Sequence, residues 1–249
     1  MGLSQIIDPF YRELSDEEWK NRPITGQICC VPGIFPDHVP QVVEVHRHDS
    51  RDHTAADFTI RNLKESDYGR KDTLPIKKLS IRAGEELLAV KSKRRPAIIL
   101  KPETFISEII AKQLPSMGKK HLQEPDTFLA LPMFSTQTEE YGSGVPPIMV
   151  ARVKTLMYPQ YFYLPQSARF TQKESMVRFD RAQIIVSRDP AVLRPLKHAV
   201  ADEVLDILFT HFMAWLKLPM NDPSKECYDT VLDILAETLP DDIRAEEGL

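Results

Sequence analysis

The apolar positions fall into short runs separated by polar, proline-rich intervals, a spacing that predicts many brief elements rather than a few long ones. Gly26–Val31, Arg95–Leu100 and Thr127–Phe134 are compact aliphatic runs of strand length. Weaker strand patterns cover Gln41–His46 and Asp57–Leu63, Glu85–Val90 reads as a short strand or helix, and Pro96 stands at the mouth of its strand, where a missing N–H does least harm. Pro147–Tyr158 and Tyr161–Leu164 suggest a hairpin-like pair turning at Tyr158-Pro159-Gln160, and Val177–Val186 reads as one further strand. Helical spacing marks Thr104–Leu114. A long amphipathic pattern over Leu193–Leu218 predicts a helix opened or kinked at Pro195, and Ser224 can cap another over Ser224–Leu239. Ser15 before Asp16, Glu17 and Glu18 predicts a short capped helix. Strands, a helix, more strands and two terminal helices make an α+β chain with a mainly β core, its sheet or small barrel built from short strands.

Composition changes little. The 249 residues can bury a sizeable core, and 42% hydrophobic with 27% charged residues is ordinary for a globular chain. The net charge of −4 gives no global sign of nucleic-acid binding, but its distribution is uneven. Pro146–Val200 holds nine Lys/Arg against three Asp/Glu, and Ala201 to the end holds three against twelve. That asymmetry reads either as a solvated acidic helical surface or as a tail that lies over the basic region and mimics nucleic acid. Cys29, Cys30 and Cys227 form neither a disulfide framework nor a zinc pattern. The acidic start lacks an apolar leader, the myristoylation pattern fails at Ile6, and no run is long enough for a membrane span, so a cytoplasmic setting is expected.

Candidate chemistry is sparse. His46, His48 and His53 lie in a polar, Arg-containing segment that reads as a metal-competent cluster or, better, as an exposed loop, so no metal site or cofactor is assigned. His121, His198 and His211 are isolated. Lys91-Ser-Lys-Arg-Arg-Pro96 reads as a solvated loop or as a phosphate clamp. Tyr158, Tyr161, Phe162 and Tyr163 read as core or as base-stacking aromatics. Arg178 and Asp180, two apart on an expected strand, share a face. They are a structural ion pair or an acid–base pair.

Four segments in one order carry a resemblance: Gly26-Gln-Ile-Cys-Cys-Val31, Arg94-Arg-Pro-Ala-Ile-Ile-Leu100, Leu129-Ala-Leu-Pro-Met-Phe-Ser-Thr136 and Ser175-Met-Val-Arg-Phe-Asp-Arg-Ala-Gln-Ile-Ile185. Together they resemble the MazF/PemK/Kid family of toxin endoribonucleases. The resemblance implies an SH3-like small barrel spanning 1–218, with an insertion at about 32–93, and an acidic helical extension over 219–249. It implies metal-independent cleavage of single-stranded RNA, a homodimer and an antitoxin protein as partner. Arg178 and Asp180 fall on the family's acid and base, and Arg95 on its active-site Arg. Arg94, Lys93, Ser135 and Thr136 are then the RNA-binding candidates. The family's Thr position is held by Phe134, with Ser135 and Thr136 following. The rival reading is a non-catalytic barrel module for a protein or nucleic-acid partner.

Overall fold

The computed structural model describes residues 2–20, 22–35, 38–49, 51–52, 55–69, 71, 79–101, 112–118, 126–137, 144–186 and 189–247. Most of the helix expected over Thr104–Leu114 lies outside the described residues, as do His53 and His121. The chain divides into two compact units, Met1–Val31 with Arg94–Leu249, and Pro32–Lys93. It is mixed α+β, with the sheet pairings antiparallel.

An eight-stranded sheet lies in the larger unit, apart from the last residues of one strand and the first of another. Its strands are β1 (Tyr11–Glu13), β2 (Gln27–Ile34), β6 (Ser92–Leu100), β7 (Thr127–Ser135), β8 (Tyr161–Leu164), β9 (Ser175–Arg178), β10 (Gln183–Val186) and β11 (Arg194–Val200). The order is β1-β11-β2-β6-β7-β9-β8, with β10 also on β7. Among the described residues the end strands β1 and β8 do not pair, so the sheet is open. The sheet nonetheless curls until its ends approach through side chains. Tyr11 Oη donates to the Pro165 carbonyl at 2.8 Å, just past β8, and the Tyr11 ring meets Phe170 edge-on at 4.9 Å.

The helices are α1 (Leu3–Ile6), α2 (Asp16–Lys20), α3 (Pro147–Lys154), α4 (Asp202–Trp215), α5 (Asp222–Glu237) and α6 (Asp241–Glu247). The start of α2 is reciprocally capped: Ser15 Oγ accepts from the Glu18 N–H and Glu18 from the Ser15 N–H. At α5 the cap is Asn221, whose side chain accepts from the Ser224 N–H at 2.9 Å, so the helix begins two residues earlier than its periodicity suggested.

The two sheet faces have separate fates. Ile98, Leu100, Leu131, Met133, Phe162 and Val177 face the helices, packing with Val204, Leu208 and Phe212 of α4 and Tyr228 and Leu235 of α5. The acidic tail is therefore pinned through its apolar stripe to the helix-covered face. The opposite face holds a smaller cluster around Cys29, Ala97, Ile99, Phe128 and Ala130, and another around Val153, Tyr163 and Met176. Burial on both faces is why β6 and β7 read as unbroken aliphatic runs.

Three expectations give way to tertiary structure. Pro147–Lys154 is helical, not the first arm of a hairpin; Pro146 and Pro147 fit a helix start, where an absent N–H costs nothing. Arg194–Val200 is a strand, because β1 and β2 flank it and claim its backbone groups, and the helix begins only at Asp202. Val177–Val186 is two strands broken by a 3₁₀ turn at Phe179–Arg181. The break has a cause on β7. The Ile99 carbonyl accepts from Gly26 N–H, so Ile99 and Ala97 address β2, and Ile98 and Leu100 address β7. Pro132, opposite Ala97, then turns its nitrogen toward β9 and β10, and it has no N–H to give. The ladder is interrupted there: β10 pairs Thr127–Ala130, β9 pairs Met133–Ser135, and the turn spans the gap.

The smaller unit is a three-stranded sheet of β3 (Gln41–His46), β4 (Asp57–Asn62) and β5 (Leu88–Ala89), with β3 central. Arg61 of β4 is bound bidentately by Asp67 and also meets Glu44. Among the described residues no helix of either unit is long and apolar enough to cross a membrane.

Candidate nucleic-acid interface

The register of β6 against β7 pairs Ala97 with Pro132, and continuing it two residues sets Arg95 opposite Phe134. The contact follows: the Arg95 guanidinium carbon lies 4.5 Å from the Phe134 ring centroid. On the other side of β7, Phe134 pairs with Met176, which brings in Arg178 at the end of β9, 5.7 Å from the same ring. Arg178 also pairs with Tyr161 of β8 and lies 5.9 Å from that ring. Phe134 is thus the shared platform of two guanidiniums, which the chain joins only through folding.

Asp180 reaches this group by a route the sequence did not show. The two residues do not share a strand face, since Asp180 sits in the 3₁₀ turn. The turn instead folds the carboxylate back onto Arg178, which donates from Nε at 3.1 Å and Nη2 at 2.6 Å. Arg181 adds a third guanidinium, its Nε 3.5 Å from Asp180. The pair remains partly open; Arg178 is 28% and Asp180 38% exposed. Burial draws the Arg95 pKa below its ordinary value, yet a guanidinium keeps its proton. The aromatic row continues through Tyr158, edge-on to Tyr161 at 6.1 Å, whose hydroxyl accepts from Arg152 at 3.3 Å.

Other candidates lie elsewhere. Ser135 Oγ is engaged by its own turn, donating to the Gln137 carbonyl at 2.6 Å, and by strand alternation it points away from the Phe134 face. Thr136 is buried, and its hydroxyl donates to the Glu174 carbonyl at 3.1 Å. It lines a separate cleft of about 510 Å³ with Val150, Lys154 and Glu174. Arg94 is exposed and donates to the Pro190 carbonyl at 2.6 Å. Lys93 is exposed and belongs to the smaller unit. Phe162 and Tyr163 are core, whereas Tyr158 and Tyr161 are half-buried on the cationic face.

Neither histidine of the polar segment that is described makes a metal cluster. His46 meets Thr59, His48 meets Asp57, and no group of three metal-ligating residues occurs among the described residues. Cys29 is a buried hydrophobe whose thiol pKa burial pushes up to about 12.

His211 is the residue that sequence reading missed. It is fully buried on α4, yet its Nε2 faces the carbonyls of Tyr161 at 3.0 Å and Tyr158 at 3.3 Å. Two acceptors place the proton on Nε2, leaving Nδ1 to accept from the Tyr228 hydroxyl. The neutral ring ties the Tyr158–Tyr161 turn to the helical layer, and burial lowers its pKa to about 4. An isolated histidine gave no signal of this; its helical spacing among apolar residues was the only trace.

Set against protein-family models, curated proteins and solved structures, the chain matches none.

Proposed function

We propose that the Arg95–Phe134–Arg178–Asp180 face binds single-stranded RNA and cleaves it, as a PemK/MazF-like endoribonuclease whose curled sheet is a relative of the SH3-like barrel. The observation that carries this reading is the convergence of Arg95 with the Arg178–Asp180 pair, distant from it in sequence, at one half-buried ring that both guanidiniums contact. Guanidinium forks match phosphate oxygens, and every base offers a π-face to Tyr161 or Tyr158. The 2′-hydroxyl is what separates RNA from DNA at such a site.

Cleavage then runs by transesterification. Asp180 takes the 2′-hydroxyl proton, and the 2′-oxygen attacks phosphorus. The bond to the 5′-oxygen breaks, leaving a 2′,3′-cyclic phosphate, and the departing oxygen gains a proton from water or from a group beside it. Arg95 and Arg178 hold the charge that builds on the phosphorane. Arg178 also orients Asp180 through its paired hydrogen bonds.

A second reading has its own observation. Phe134 occupies the position where the resemblance calls for a hydroxyl, and Asp180 is held by two guanidiniums rather than facing a proton donor. That arrangement suits a module that binds RNA without cutting it. An antitoxin would compete for the same cations with an acidic segment. One experiment separates the readings: labelled single-stranded RNA is incubated in EDTA with the native chain and with Asp180→Asn, and both retention and cut products are scored. Cyclic-phosphate ends that disappear in Asp180→Asn support the nuclease. Retention without cutting supports the module, and neither retention nor cutting overturns both.

A further inference from the structure

The smaller unit carries an open sheet edge. Among the described residues, β4 has β3 on one side and no strand on the other. One hydrogen bond decides which of its backbone groups face outward. Val43 N–H donates to the Leu87 carbonyl at 2.8 Å, so Gln41 and Val43 address β5, while Val42, Glu44 and His46 address β4. In the observed register Val42 faces Arg61 and Glu44 faces Thr59, so Thr59 and Arg61 bond inward. The N–H and C=O groups of Phe58 and Ile60 therefore point out of the sheet.

The side chains match that openness. Phe58 is 52% and Ile60 61% exposed, on one face of the strand. Edges of this kind are normally blunted by Pro, Lys or a bulge. β4 has neither residue, and its six pairs with β3 run without a shift.

We infer that β4 pairs with β4 of a second copy, antiparallel about a two-fold axis through Thr59. The apolar residues Phe58 and Ile60 lie symmetrically about Thr59. In this register Phe58 meets Ile60 of the second copy, a pair that occurs twice. Phe58 and Ile60, whose backbone groups point outward, become the hydrogen-bonded pairs. Thr59 faces itself across the axis as a non-bonded pair with the closer Cα approach. Sliding the register by two residues keeps the backbone bonds but trades the two Phe58–Ile60 pairs for one like pair, with Ile60 against Ala56 or Phe58 against Asn62, so apolar pairing selects the register. The product is a continuous six-stranded sheet with its exposed apolar pairs stacked side by side. Pairing through β4 is independent of whether the larger unit binds RNA.

The test is the oligomeric state of the full chain by analytical ultracentrifugation, from low to high micromolar. The native chain is expected to dimerise. Ile60→Pro removes one outward N–H without touching the bonds to β3 and is expected to be monomeric with an unchanged circular dichroism spectrum. Register is read from Thr59→Cys in a Cys227→Ser background, which is expected to form a covalent dimer under mild oxidation, whereas Ile60→Cys is not. A native chain that stays monomeric overturns the inference. So does a dimer indifferent to Ile60→Pro, or a dimer whose Thr59→Cys form does not cross-link.

Discussion

Arg61–Asp67 and Arg178–Asp180 are both bidentate Arg–Asp pairs, and they differ in what surrounds them. Arg61 and Asp67 close on each other at 2.8 and 2.7 Å. Asp67 also accepts from the Lys64 N–H, its side chain is only 8% exposed, and Arg61 is met from its far side by Glu44. Charges there balance or run negative, and the partners all come from one small sheet and the turn beside it. Those bonds hold the Asp67 pKa down to about 2. Arg178 and Asp180 make the same two bonds, but beside them stand Arg95, Arg181 and the rings of Phe134 and Tyr161. An Arg–Asp contact alone does not separate architecture from chemistry. On the proposed function, the aromatic platform that Arg178 shares with Arg95 is what sets the second pair apart.

The comparison breaks first at Asp180. Asp180→Asn is expected to reduce RNA cleavage by about 10²–10⁴-fold, the usual weight of a general base, while RNA retention holds or rises because a negative charge is lost. Single-turnover cleavage with a parallel filter-binding assay checks both. Equal cleavage by the variant would make this pair as architectural as the other.

A second prediction concerns the support under the site. The folded His211 pKa of about 4 lies below its ordinary value, so its contribution to stability is complete above about pH 6.5 and is lost as pH falls toward 4. The loss is about 3 kcal/mol. Urea unfolding across that range should show a steeper fall for the native chain than for His211→Gln, which keeps a donor to the Tyr158 and Tyr161 carbonyls. Parallel curves would show that the ring carries no such linkage.

The cationic platform sharpens the contrast further. Arg178→Ala should weaken RNA binding about tenfold and lower the salt dependence of log K by about 0.7, one phosphate contact on a single strand. Phe134→Ala should cost less, about 0.5–2 kcal/mol of binding, because it removes a surface shared by two guanidiniums without removing a charge. Titrations at several salt concentrations read both. The smallest expected effect on RNA is that of Arg61→Ala, which should leave binding and cleavage unchanged and lower the urea midpoint. The Asp67 contribution is present above about pH 4 and lost as pH falls toward 2, so the variant's deficit should shrink in acid.

Much of this architecture was legible where burial was two-sided. Ala97–Leu100 and Phe128–Leu131 are aliphatic because both sheet faces are covered, and their runs named β6 and β7 directly. Legibility failed where partners decided the backbone. Arg194–Val200 continues into α4 with a helical apolar pattern, and only the neighbouring β1 and β2 make it a strand. The turn at Phe179–Arg181 depends on Pro132, nearly fifty positions earlier, and on which way that proline's nitrogen points. For the same reason the Arg178–Asp180 contact was expected from strand alternation but arises from the turn that interrupts the strand. Arg95 was legible from the run Arg94-Arg-Pro, whereas Phe134, Arg181 and His211 were not, since each takes its role from register or from packing between layers.

The central claim is that the Arg178–Asp180 pair works on RNA and the Arg61–Asp67 pair does not. The most direct measurement is a time course of long single-stranded RNA in EDTA with the native chain, Asp180→Asn and Arg61→Ala, all shown to be folded, with product ends mapped. Cuts bearing 2′,3′-cyclic phosphate in the native and Arg61→Ala reactions, and none with Asp180→Asn, is the predicted result. Intact RNA with the native chain, or cutting that persists in Asp180→Asn, would contradict it.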